Sequence, residues 1–264
     1  MKWYNDMKKM FVYFISICFF GYLALLLFAY FFAEKLMFPT PKSTYEKIDG
    51  IKMLYVDDGR KIATLFFENK NSNICVIYSH GNGEDIGKIH ELMQQYRDRL
   101  NVNVLTYDYC GYGISEGKMT EADLPKCADL MYDYAINTLG FKPENMFFAG
   151  YSLGSSPTAY LASKHADAKG ALIVGGVARA VKTILPYDIV PWKILHVVDY
   201  VSQIKIPVLF FHGTKDRTVH IRNAYENLSV AKKARLVKFQ DCGHYPLFES
   251  PLYWSELKKF LNEL

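Results

Sequence analysis

The chain has 264 residues, half of them hydrophobic, with 31 basic and 27 acidic side chains and a formal net charge of +4. It is too apolar to be disordered, and long enough to bury one large domain core. Residues 1–36 hold four of the basic and two of the acidic groups, which leaves a nearly neutral remainder of 27 against 25, with no basic cluster to meet a phosphate backbone; nucleic acid is not an expected partner.

Residues 11–33 run FVYFISICFFGYLALLLFAYFFA without a single charge. As a helix this stretch reaches roughly 35 Å, slightly more than the roughly 30 Å hydrocarbon core of a bilayer. No pair of small residues stands where a signal peptidase would cut, and Ile17 before Cys18 is too bulky for a lipoprotein-type site. Residues 1–36 are therefore expected to form an uncleaved signal anchor, making the membrane a partner. Lys2, Lys8 and Lys9 precede the span while Glu34 and Lys35 follow it. That bias places the N-terminus in the cytoplasm and the body of the protein on the non-cytoplasmic side.

The prolines and polar residues of 37–44 suit a short stiff spacer, so the folded body is expected to span 45–264. Eight β-rich runs follow: KMLYV, KIATLFFE, NICVIYSHG, VNVLTYDY, NMFFAGYS, GALIVGG, PVLFFHG and ARLVKFQ. Several are almost wholly apolar, as strands covered on both faces must be. Between them, Ile86, Ile89, Met93, Tyr96 and Leu100 recur at helical spacing, as do Leu124, Cys127, Met131, Tyr134 and Ile136. Ser250 before Pro251 predicts an N-cap, with Leu257, Phe260, Leu261 and Leu264 as the buried stripe of a last helix. Strands alternating with helices predict an α/β fold with a mostly parallel eight-stranded sheet, helices on both faces and functional residues at the carboxyl ends of strands. The long interval 178–205 between the sixth and seventh strands is expected to form a small cap.

The stretch FFAGYSLGSS places Ser152 where a strand gives way to a helical pattern, the context a G-x-S-x-G nucleophile elbow requires. A side chain at Gly150 or Gly154 would collide across so tight a turn. A serine hydroxyl needs a base, and the base needs an orienting acid. PVLFFHGTKDRTV puts Asp216 just past the seventh strand, and VKFQDCGHYPLFE puts His244 just past the eighth. Asp241 is a rival acid, but a neighbour three residues away on the same loop is badly placed to support the imidazole from behind. The Gly-rich loop after the third strand, with the turn after Ser152, offers the amides of Asn82 and Leu153 as oxyanion donors. His80, followed by glycine, shapes that loop rather than acting as base; the histidines at 90, 165, 196 and 212 are expected to be structural or exposed, with His196, in the cap, the one of most interest. The five cysteines are scattered with no zinc-type spacing, so no metal and no cofactor is expected.

Taken together, SHGNGEDIG, YDYCGYGISEG, GYSLGS, HGTKDRTV and CGHY resemble the α/β-hydrolase superfamily. They are similar above all to its small membrane-anchored HGN-loop hydrolases, with protein depalmitoylase-like and prolyl-oligopeptidase-like relatives. The resemblance covers the chain from about Tyr45 to Leu264. It implies the α/β-hydrolase fold, Ser152, Asp216 and His244 as triad, and Asn82 and Leu153 at the oxyanion positions. Two positions depart from the pattern. Cys110 stands where relatives often carry a small polar or basic residue, and His220 stands where many carry proline.

These residues point to a serine hydrolase acting on a carboxylic ester or thioester, with an acylated protein or a lipid as substrate. An amidase or peptidase of the same fold is the enzymatic alternative. A membrane scaffold built on an inactive hydrolase fold is the non-enzymatic one; such scaffolds usually lose a triad member, and here all three are present.

Overall fold

A computed structural model describes residues 2–184 and 190–264. The chain opens with helix α1, Lys2–Met37. Of it, Trp3–Met37 is long and apolar enough to cross a membrane, and its apolar window is not buried against the rest of the protein. The strands are β1 (Lys52–Tyr55), β2 (Lys61–Phe67), β3 (Cys75–Ser79), β4 (Asn103–Tyr107), β5 (Met146–Tyr151), β6 (Gly170–Val174), β7 (Val208–Gly213) and β8 (Ala234–Phe239). Between and after them come α2 (Ile86–Leu100), α3 (Asp123–Asp133), α4 (Ser155–Lys164), α5 (Ala180–Ile184), α6 (Val197–Val201), α7 (Arg222–Val230) and α8 (Pro251–Glu263). All eight expected strands join one sheet in the order β1-β2-β4-β3-β5-β6-β7-β8. Along that order every pairing from β4 to β8 is parallel, whereas β1–β2 and β2–β4 are antiparallel, so β2 alone runs against the rest of the sheet.

The apolar runs of the central strands follow from burial on both faces. Successive residues of β5 alternate: Phe148 enters one core with Leu124, Cys127 and Met131 of α3, whereas Phe147 and Ala149 enter the other with Ile86, Met93 and Leu257. Ile77 and Phe210 share the first core, Val76 and Phe211 the second. Each such aromatic withdraws enough apolar surface to contribute about 1.5–3 kcal/mol, so no polar residue could be accommodated at these positions without a partner.

Local details differ from expectation where tertiary contacts intervene. Helix α3 continues into a π-helical turn at Tyr134–Thr138, which leaves Ile136 only partly buried. Ser250 occupies the N-cap position of α8 with Pro251 in the first turn, but its side chain makes no capping bond. Residues 37–44, read from the sequence as a spacer, lie against the body. Phe38 is buried in the core, and Thr44 N–H donates to Asp85 Oδ2 at 2.7 Å. Asp85 in turn caps α2 by accepting from Lys88 N–H at 3.0 Å. Of the expected cap, residues 185–189 lie outside the described residues. The described part is a packed portion of the helical layer, with α6 seated on α4 and Val197 and Val201 in the core; His196 pairs there in a β-bridge with Arg179.

A buried polar cluster fastens the loops at the carboxyl edge of the sheet. Asp108, after β4, accepts from Tyr45 Oη and, at 2.7 Å, from Ile86 N–H. Burial pushes its carboxyl up to about 7 against the bonds from Tyr45, Ile86 and Ile114. An unfolded aspartate titrates near 3.9, so between the two values the folded state holds the extra proton. The Asp108 contribution to stability should therefore fall as pH rises from about 4 to about 7. Asp108→Asn is expected to flatten that part of the pH dependence of the thermal midpoint, and an unchanged slope would show the proton resides elsewhere.

Candidate active site

Ser152 follows β5 directly, at φ +52°, in a short 3-10 turn that leads into α4. The left-handed backbone is strained for a residue with a Cβ, and it turns the serine side chain out of the sheet. The flanking glycines make the turn possible: a Cβ at Gly150 would lie 2.2 Å from the carbonyl oxygen of Gly154, and one at Gly154 would lie 2.0 Å from that of Ser79. The partial positive charge at the start of α4 lies beside the hydroxyl.

The residues expected at three strand ends meet. His244 Nε2 is 2.9 Å from Ser152 Oγ, and His244 Nδ1 is 2.6 Å from Asp216 Oδ2. Asp216 is held by the turn after β7, where Thr218 and Val219 N–H donate to its Oδ1 at 2.9 and 2.8 Å. Burial alone would raise its carboxyl, but bonds from His212 and His244, with the Val219 amide, hold it well below the usual carboxylate range. It stays ionised throughout the neutral range. Asp241 is exposed and pairs with Lys215 Nζ at 2.8 Å, away from the imidazole.

Asn82 and Leu153 start from paired positions. Ser79 of β3 lies opposite Gly150 of β5 in parallel register, and each residue stands three positions beyond its strand partner. The close contact of Gly154 with Ser79 and His80 draws the two turns together beside Ser152. His80 is fully buried, with Nδ1 2.7 Å from Gly81 O. Burial pushes it down to about 4 despite that bond, so it is neutral at working pH and braces the loop.

A family described as the α/β hydrolase fold matches residues 179–251, and one described as serine aminopeptidase, S33, matches residues 70–198. The chain has the α/β-hydrolase fold. Human alpha/beta hydrolase domain-containing protein 17B is 27% identical over 219 residues, covering 80% of this chain and 74% of that protein. The mouse 17C protein is 28% identical over 202 residues, covering 73% and 61%, so the hydrolase-fold chain spans about three-fifths of that relative's length. Among solved structures, an esterase of Pyrococcus furiosus superposes with a TM-score of 0.69 at 17% identity, covering 84% of this chain and 96% of its own. Est1E of Butyrivibrio proteoclasticus, bound to ferulic acid, gives 0.67 at 22% identity, covering 80% and 98%. Both likenesses speak for the fold.

Three residues of this α/β-hydrolase site escape a reading of the sequence alone. His212, expected to be structural, is buried; its Nε2 lies 2.7 Å from Val219 O and 3.3 Å from Asp216 Oδ2. The only linear clue is its place four residues before Asp216. Tyr151 packs against His244 at 5.0 Å between ring centroids, the rings tilted by 36°, and donates its hydroxyl to His244 O at 3.2 Å. Glu84, buried, accepts from Gly81 N–H at 2.7 Å and fixes the loop that carries Asn82. Of the two departures from the family pattern, Cys110 is buried with its Sγ 3.8 Å from that of Cys127, and His220 is exposed; neither is bonded to Ser152, Asp216 or His244.

Proposed function

We propose that this chain is a membrane-anchored serine hydrolase that cleaves a carboxylic ester or thioester through an acyl-enzyme on Ser152. The observation that carries the reading is the unbroken line from Ser152 Oγ through the two ring nitrogens of His244 to the carboxylate of Asp216.

In the reaction, Ser152 Oγ bonds to the substrate carbonyl carbon while its proton passes to His244 Nε2. The carbonyl oxygen takes up the electron pair and is stabilised by the N–H groups of Asn82 and Leu153. The imidazolium donates from Nδ1 to Asp216, whose charge favours the protonated ring. When the tetrahedral intermediate collapses, the bond to the alcohol or thiol breaks and His244 returns the proton to it. Water, deprotonated by His244, then releases the acid and restores Ser152.

An ester or thioester is favoured by the solved relatives named as esterases. The long apolar α1 favours a substrate found at membranes, an acylated protein or a lipid. The serine aminopeptidase match over 70–198 favours the second reading, a peptidase. The full chain in detergent, given p-nitrophenyl esters from acetate to palmitate, matching acyl thioesters and an aminoacyl anilide, separates them. Turnover of esters and thioesters rising toward long chains is expected. Preference for the anilide would replace the esterase reading with the peptidase one, and inertness toward all of them would end both.

A further inference from the structure

The last residue of α1 is bonded to the loop assigned to the oxyanion. Asn82 Nδ2 donates to Met37 O at 2.7 Å, and Asn82 Oδ1 accepts from the hydroxyl of Tyr112. Tyr112 is fully buried against His80 and Tyr109; burial pushes its hydroxyl up to about 12, so it remains a donor at any working pH. The end of α1 is seated at further points. Tyr30 meets Trp192 edge-on at 6.3 Å, Glu34 Oε1 accepts from Glu121 N–H at 3.1 Å, and Phe38 enters the core. Glu121 in turn accepts from Leu195 N–H at 2.8 Å. The charge-free run ends at Ala33, four residues, or about 6 Å of helix, before Met37. An anchor that only tethered the body would need none of these bonds.

We propose that the end of α1 is a positioning element of the active site: the Met37 carbonyl and the Tyr112 hydroxyl clamp the Asn82 side chain, and so fix the Asn82 amide that meets the oxyanion. This rests on the hydrolase reading above. Asn82 acts through its own main chain, and Tyr112 and Met37 act through Asn82. Hydrolysis is then tuned by how α1 is seated, even for a substrate that never touches the membrane.

The test uses the full chain in detergent with p-nitrophenyl butyrate, a short ester that needs no bilayer. Removing an oxyanion donor outright costs about 10²–10³ in kcat; loosening one should cost less. Asn82→Ala keeps the amide but releases the clamp, and should lower kcat about tenfold or more with KM within about twofold. Tyr112→Phe should lower kcat about threefold, and the double variant should be no slower than Asn82→Ala alone, because both act on one group. Trp192→Ala, which removes the ring that Tyr30 meets, should also lower kcat at unchanged KM. If Asn82→Ala fails to fold, Tyr112→Phe and Trp192→Ala carry the test. Unchanged kcat in these variants, or a double variant whose losses multiply, overturns the proposal while active wild type leaves the hydrolase reading standing. An inert wild type with an unreactive Ser152 overturns both.

Discussion

Alanine at position 152 is expected to lower kcat toward p-nitrophenyl esters by about 10⁴- to 10⁶-fold, the range seen when a hydrolase loses its nucleophile. The physical reason is that His244 Nε2, 2.9 Å from Ser152 Oγ, would have no hydroxyl to deprotonate, while the oxyanion donors and the binding surface would still be present. The fold should survive. Ser152 already pays the backbone strain of φ +52°, and alanine carries the same Cβ, so the thermal midpoint should hardly move. Substantial turnover by a folded Ser152→Ala protein would mean that another group performs the chemistry.

The second large effect is expected at Asp216. In Asp216→Asn the amide oxygen can continue to accept from Thr218 and Val219 N–H, which now bond Oδ1 at 2.9 and 2.8 Å. Its NH₂ group would then face His244 Nδ1, where a carboxylate oxygen now stands at 2.6 Å. A donor there stabilises the tautomer with its proton on Nε2, the wrong nitrogen to accept from serine. A fall in kcat of about 10⁴-fold with little change in KM is expected. Asp241→Asn is the control. Its carboxylate is exposed and paired with Lys215, so kcat should stay within about twofold. If Asp241→Asn were the damaging change and Asp216→Asn the harmless one, the assignment of the acid would be reversed.

The sheet was legible because its strands are short apolar runs buried on both faces, and alternation in β5 and β7 then needs nothing beyond local sequence. The candidate site was legible for a related reason. In a parallel sheet the residues just past β5, β7 and β8 are carried to one edge, so three linear motifs suffice to bring Ser152, Asp216 and His244 together. What stayed hidden depends on contacts between distant segments. Nothing local marks Tyr112 and Met37 as partners of Asn82, or Thr44 as a partner of Asp85, and so residues 37–44 looked like a spacer. His212 resembled a core histidine because its role depends on the turn that brings Val219 and Asp216 to its ring. The length of the interval 178–205 suggests a cap, and nothing in that length marks Val197 and Val201 as core residues beside α4.

The enzymatic reading is tested most directly by exposing the folded full-length protein to a fluorophosphonate and locating the adduct by peptide mass spectrometry. A single stoichiometric adduct on the peptide bearing Ser152, absent after His244→Ala, is the predicted result. A folded protein left unmodified at Ser152, or labelled equally well without His244, would contradict it.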